Sequence, residues 1–166
     1  MAKIKLIRID DRLIHGQVVT RWIQKTNADR IVIVDNEVAK NEYLKKIYSL
    51  AAPSNINVET KSIKEFINEW LDNKMGSGKL LILLKNIDTA KKLIEKGLLF
   101  NELQIGGIGA TPENKTVFKT VSITDNEAQK LKWINDKGIK TYFQVLPGEE
   151  CVDLNRILKK HFNNLI

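Results

Sequence analysis

Cysteine is almost absent: Cys151 is the single one in 166 residues, so the chain has no internal disulfide framework and suits a reducing compartment. Packing as a small hydrophobe, or an incidental thiol, accounts for it better than catalysis, since no histidine neighbours it in sequence. Long apolar runs are also missing. Nothing approaches the roughly 20 apolar residues of a membrane span, and the N-terminus alternates Lys with Ile where a signal peptide would be continuously apolar. The chain therefore reads as soluble and cytoplasmic. Histidine is scarce too, and His15 and His161, distant from each other, give no metal-ligand spacing with one cysteine. Two nucleotide-binding patterns fail on inspection. Gly106-Gly107-Ile108-Gly109 lacks the G-x-G-x-x-G register, and Gly76-Ser77-Gly78-Lys79 precedes a strand where a Walker loop must follow one, so it reads as a turn.

What the chain has is an ordinary globular balance, 43% apolar and 28% charged, and a length that suits one domain over residues 1–166. The formal net charge is +7. Such a balance fits a nucleic acid, an anionic surface, a phosphate-bearing ligand or an acidic partner. The lysines are scattered over predicted helix surfaces and form no single run, which argues against a nucleic-acid partner.

Strand and helix patterns alternate. Ile4 to Asp10 is a first strand, followed by a helix from Gly16 to Asn27 with Val18, Val19, Trp22 and Ile23 at helical spacing. Arg30 to Asp35 is continuously apolar, as in a parallel strand covered on both faces. Helical material from about Glu37 to Ala52 has Asn36 and Asn41 as caps and ends at Pro53. Ile56 to Thr60 is a strand; Ser62 and Glu65 form a capping box for the next helix, which Gly76-Ser77-Gly78 breaks. Leu80 to Leu84 is a strand, and Asp88 caps a helix from Thr89 to Lys96. Glu102 to Ile105 and Val117 to Ile123 are strands. Thr124 or Asp125 caps a helix from Asn126 to Asp136, Ile139 to Val145 is the last strand, and Val152 to Phe162 is helical. This order predicts an α/β fold: a single open, mostly parallel sheet with helices on both faces. Trp22, Trp70 and Trp133 lie at core spacing and read as packing against that sheet.

In such sheets ligands bind beyond the carboxyl ends of the strands. That rule selects Asp10 to Gln17, Asp35-Asn36, Lys85-Asn86-Asp88 and the Gly106 to Gly109 loop. The first is richest in chemistry. A neutral imidazole is a nitrogen nucleophile, and His15 directly precedes a helix whose free N–H groups at Gly16, Gln17 and Val18 suit an anion. Arg12 offers a donor fork matched to phosphate, with Arg8 as a second. Asp10 can orient a guanidinium or accept an imidazole N–H, and Lys85 reaches the site by strand-end position. Two readings stand beside each other at this point: a phosphate-handling nucleophile, or a His that merely caps its helix while Asp10 and Arg12 pair in a turn. His161, beside Lys159 and Lys160, reads as part of a solvated helix face.

The run Arg8-Ile9-Asp10-Asp11-Arg12-Leu13-Ile14-His15-Gly16-Gln17-Val18 resembles the N-terminal signature of IIB subunits of the mannose/sorbose family of the bacterial phosphoenolpyruvate-dependent sugar phosphotransferase system (PTS). Trp22 and the strand ending in Asp35-Asn36 extend the resemblance. It implies a protein-Nπ-phosphohistidine–sugar phosphotransferase (EC 2.7.1.-). Such a subunit takes a phosphoryl group from phosphohistidine on a IIA partner and passes it to a sugar at the IIC/IID membrane complex, with which it associates peripherally. His15 matches the acceptor, with Nδ1 the expected site, and Arg12 matches the basic residue three places before it. No metal or organic cofactor is called for. Mannose, fructose, sorbose and N-acetylgalactosamine all stay open as the sugar, since much of that choice lies in the membrane subunits; self-association is open as well. Two rival readings are a basic module for RNA or DNA, and a regulatory homologue that has lost transfer.

Overall fold

Continuously apolar strands need cover on both faces, and the computed structural model, which describes residues 1–166, supplies it. Strands β1 (Lys3–Asp10), β2 (Arg30–Val34), β3 (Asn57–Lys61), β4 (Lys79–Leu84), β5 (Glu102–Gly107) and β8 (Lys140–Phe143) form a parallel sheet. A two-residue strand β9 (Val152–Asp153) adds antiparallel to β8, giving the order β3-β2-β4-β1-β5-β8-β9. Helices α1 (Gly16–Thr26), α2 (Asn36–Ala39) and α3 (Glu42–Ala51) lie on one face, where Val19, Trp22, Ile23 and Val38 join Leu6, Ile31, Ile33, Leu81 and Leu83. Helices α4 (Ile63–Asn73), α5 (Ile87–Glu95), α6 (Asp125–Asp136) and α7 (Leu154–His161) bury Phe66, Leu93, Leu131 and Ile157 on the other, against Ile7, Ile9, Val32 and Ile82. The open, mostly parallel sheet with helices on both faces matches the expectation from sequence.

Alternation along β1 then places the site. Leu6 belongs to the α1 face and Ile7 and Ile9 to the opposite one, so Arg8 and Asp10 project toward α1. The chain leaves β1 by α1 to reach β2 on one side, and leaves β4 by α5 to reach β5 on the other, although β1 and β4 are neighbours. The crevice at this reversal is bounded by the loops Asp10–His15 and Lys85–Asn86.

Several local expectations are corrected. The predicted strand Val117 to Ile123 is a hairpin, β6 (Lys115–Phe118) and β7 (Val121–Ile123), turning at Lys119 with φ +39°. Lys119-Thr120 carries no glycine or asparagine, so the turn leaves no ordinary trace in sequence. The helical stretch after β2 is interrupted: Asp35, not Asn36, caps α2 by accepting from Glu37 and Val38 N–H, and Asn41 caps α3. Asn36 accepts instead from Ile63 N–H, tying this loop to α4. Asn86 rather than Asp88 caps α5, while Asp88 pairs with Lys130. Thr124 caps α6 in a full capping box, and the C-terminal helix starts at Leu154 because Val152 and Asp153 are spent on the sheet edge. Trp70 and Trp133 do pack against the core on the α4–α7 face, half-buried, with Lys74 over the one and Lys91 and Lys137 over the other. Cys151 is exposed. His161 is not on a solvated face: its Nε2 is buried without a hydrogen-bond partner, and desolvation, then Lys160 and Lys115, pull its pKa down.

Asp35→Ala removes the acceptor for two α2 amides next to a buried strand end. Urea unfolding should show a loss of about 1–2 kcal/mol at unchanged m-value; stability equal to wild type would show that the cap carries no weight.

Candidate functional site

Asp10, the last residue of β1, is 1% exposed and is the hub of the site. Its Oδ2 accepts from Arg8 Nη2 at 3.2 Å and lies 3.0 Å from His15 Nε2. Its Oδ1 accepts from the Arg12 backbone N–H at 3.2 Å, with Arg12 Nε at 3.8 Å. The Asp10 carbonyl accepts from Leu13 N–H, closing a turn in which Leu13 takes φ +55° and buries its side chain. His15 then enters α1 in an extended conformation.

A carboxylate can only accept, so Asp10 holds the proton of a neutral His15 on Nε2. That leaves Nδ1 as the ring atom with a free lone pair, and it has no partner within the protein. The imidazole side chain is 19% exposed. The helix-cap reading fails on geometry, because the His15 side chain makes no cap bond to α1. No acidic residue occupies the first turn of α1. The amides of exposed Gly16 and Gln17 are therefore left for an anion, with the helix dipole in their favour. Gly16 has φ +50°, which a side chain would strain. Arg12 is 55% exposed, and its terminal nitrogens are unengaged. Lys85 is exposed just past the end of β4, the strand next to β1, where Leu84 pairs with Ile9.

Arg8, expected among the phosphate ligands, lies beneath the site instead. It is 2% exposed and donates to Gln104 Oε1 at 2.6 Å, the Gln144 carbonyl at 3.0 Å and Asp10. Burial lowers its pKa and Asp10 opposes that, so it stays a cation. Gln104 in turn donates to Tyr142 Oη at 3.4 Å, and burial followed by Glu102 raises the pKa of that phenol.

The glycine pair after β5 backs this network. Ile9 pairs with Ile105 but Asp10 pairs with Gly107, so Gly106 is skipped in the register. A Cβ at Gly106 would run into the Arg8 guanidinium, and one at Gly107 would stand 3.0 Å from Asp10 Oδ1. Asp11 locks the same loop by accepting from Gly109 N–H at 2.7 Å, while its own N–H donates to the Gly107 carbonyl. Sequence reasoning missed Gln104, Gln144 and the purpose of Gly106 and Gly107. Two adjacent glycines at a strand end were the one signal available. Thus Asp10, Arg12, His15, Gly16 and Gln17 come together, Lys85 follows the end of the neighbouring strand β4 without a hydrogen bond or ion pair to them, and Arg8 supports them from below. Asp35 and Asn36 serve helix ends elsewhere.

The arrangement is a nitrogen nucleophile with a fixed tautomer, an open helix N-terminus and a free guanidinium, which together suit transfer of a tetrahedral anion. Comparison with known proteins agrees. A family model described as PTS system sorbose subfamily IIB component matches residues 4–165. The fructose-specific EIIB component of Bacillus subtilis (strain 168) is 31% identical over 159 residues, 96% of this chain and 98% of that one. The mannose-specific EIIAB component of Escherichia coli (strain K12) is 31% identical over 137 residues, which are 82% of this chain and 42% of the longer relative. Among solved structures, manxB from Thermoanaerobacter tengcongensis superposes with a TM-score of 0.93 at 38% identity, covering 98% of both chains. With the match taking in every strand and both loops of the crevice, the chain belongs to the sorbose subfamily of phosphotransferase-system IIB components.

Proposed function

We propose that the chain, as one IIB domain over residues 1–166, carries the phosphoryl group on His15 Nδ1. The group comes from phosphohistidine of a IIA partner and goes to a sugar presented by the IIC/IID membrane subunits. The observation that carries this reading is the 3.0 Å approach of His15 Nε2 to buried Asp10, which leaves Nδ1 unprotonated on a partly exposed ring. The E. coli relative, named as a joined IIA and IIB component, supports IIA as the donor. No helix is long and apolar enough to cross a membrane, which accords with a cytoplasmic subunit held at the membrane by IIC and IID.

In the first step the Nδ1 lone pair forms a P–N bond as the donor's P–N bond breaks, and that bond's electron pair stays on the donor imidazole. The Nε2 proton does not move. The His15 ring becomes cationic as the new bond forms, and Asp10 stabilises that charge. The three equatorial oxygens of a loose transition state meet the Arg12 guanidinium and the α1 amides; Lys85, just past the end of β4, is a further cation. In the second step a sugar hydroxyl oxygen attacks phosphorus, the P–Nδ1 pair returns to the ring, and the hydroxyl proton leaves to solvent. The high-energy N–P bond drives the sequence without metal or organic cofactor. Docking of an acidic IIA rim on the basic protein is steered by charge and weakens with salt.

With phosphorylated IIA, intact-mass measurement should show one phosphoryl group gained by the wild type and none by His15→Ala; uptake persisting in His15→Ala would remove His15 as the carrier. Arg12→Ala should retain the fold and take up phosphoryl about a hundredfold more slowly in rapid-quench assays, whereas an unchanged rate would take Arg12 out of the transfer. Asp10→Asn leaves the Arg8 cation buried without its counter-charge. It should lower unfolding free energy by about 3–5 kcal/mol, and denaturant midpoints equal to wild type would contradict the pairing.

A further inference from the structure

Trp22 sits at the middle of α1 and is buried. The Arg8 guanidinium carbon stands 5.4 Å from the centre of its indole ring, close enough for a cation–π interaction. Gly106 provides a second wall, since a Cβ there would collide with the guanidinium carbon and both terminal nitrogens. The indole is itself fixed: Nε1–H donates to the Val145 carbonyl at 3.0 Å. The adjacent carbonyl, Gln144, accepts from Arg8 Nη1 at 3.0 Å. One backbone segment after β8 therefore anchors both the ring and the cation against it. Packing alone does not require this, since the indole could bury its area among Leu6, Val19 and Ile23 with its N–H satisfied elsewhere. The cation it walls in donates to Asp10 Oδ2, the same oxygen that holds His15 Nε2.

We infer that Trp22 is a positioning residue for phosphoryl acceptance. Together with Gly106 it confines the Arg8 guanidinium, which fixes the Asp10 carboxylate and so keeps the His15 proton on Nε2. The inference rests on the reading of His15 as phosphoryl carrier and extends it to a residue that touches neither phosphate nor imidazole. A merely structural Trp22 would contribute stability and leave the tautomer of His15 unmoved.

The test is ¹⁵N NMR of His15 in the unphosphorylated protein in alkaline buffer, together with the rate of phosphoryl uptake from phosphoramidate, a small N–P donor. Wild type should carry the proton on Nε2, and Trp22→Phe, which keeps an aromatic wall, should stay close to it in tautomer and rate. Trp22→Leu should show both tautomers and uptake slowed about tenfold or more, the scale at which outer partners of a functional histidine act elsewhere. Gly106→Ala, which pushes on Arg8 without altering Trp22, should do the same and decides the matter alone if Trp22→Leu does not fold. A folded Trp22→Leu or Gly106→Ala with the wild-type tautomer and rate overturns the inference. Failure of the wild type itself to take phosphoryl on His15 would instead remove the carrier reading, and the tautomer measurement would still decide the role of Trp22.

Discussion

A carboxylate removed from water at the end of a strand costs several kcal/mol unless charge and donors surround it, and Asp10 is such a group. Arg8 compensates it from the same face of β1, the Arg12 backbone N–H and side chain from the turn, and His15 from the mouth of α1. Much of the local architecture follows from that requirement. The skipped register at Gly106, the absence of a Cβ at Gly107 and the left-handed Leu13 all make room for, or close around, this one side chain. The hub also has a chemical consequence. An acceptor-only group against Nε2 selects one of two tautomers, and the nitrogen it leaves unprotonated has no partner in the protein.

The rest of the fold delivers that crevice. Because β1 and β4 are neighbours whose crossovers run in opposite directions, the loops at their carboxyl ends part, and a helix N-terminus opens beside them. The continuously apolar strands β2 and β4, with the two apolar clusters on either side of the sheet, make the platform rigid. A rigid platform suits a phosphocarrier, in which alignment and charge do most of the catalytic work.

The strand and helix order was legible in the sequence because the strands are apolar without interruption and the helices are capped by Ser62, Thr124 and Asn41, residues whose side chains satisfy first-turn amides. The position of His15 at a strand-to-helix junction was legible for the same reason. What could not be read was distance along the chain. Gln104 and Gln144 reach Arg8 across 96 and 136 residues, so Arg8 looked like a free phosphate ligand when it is a buried brace. The hairpin at Lys119 carries no turn signal, and Asp88, read as the α5 cap, pairs with Lys130 on α6 while Asn86 caps the helix. Gly106-Gly107 was visible as a motif, but its meaning depends on which strand lies alongside.

Asp10, by holding the proton on Nε2, is proposed to dictate that His15 accepts the phosphoryl group at Nδ1. Multinuclear NMR of the ¹⁵N-labelled, phosphorylated protein reads that atom directly. A one-bond coupling between phosphorus and Nδ1, with Nε2 protonated, is expected; phosphorus bonded to Nε2 would show that Asp10 does not set the reacting atom.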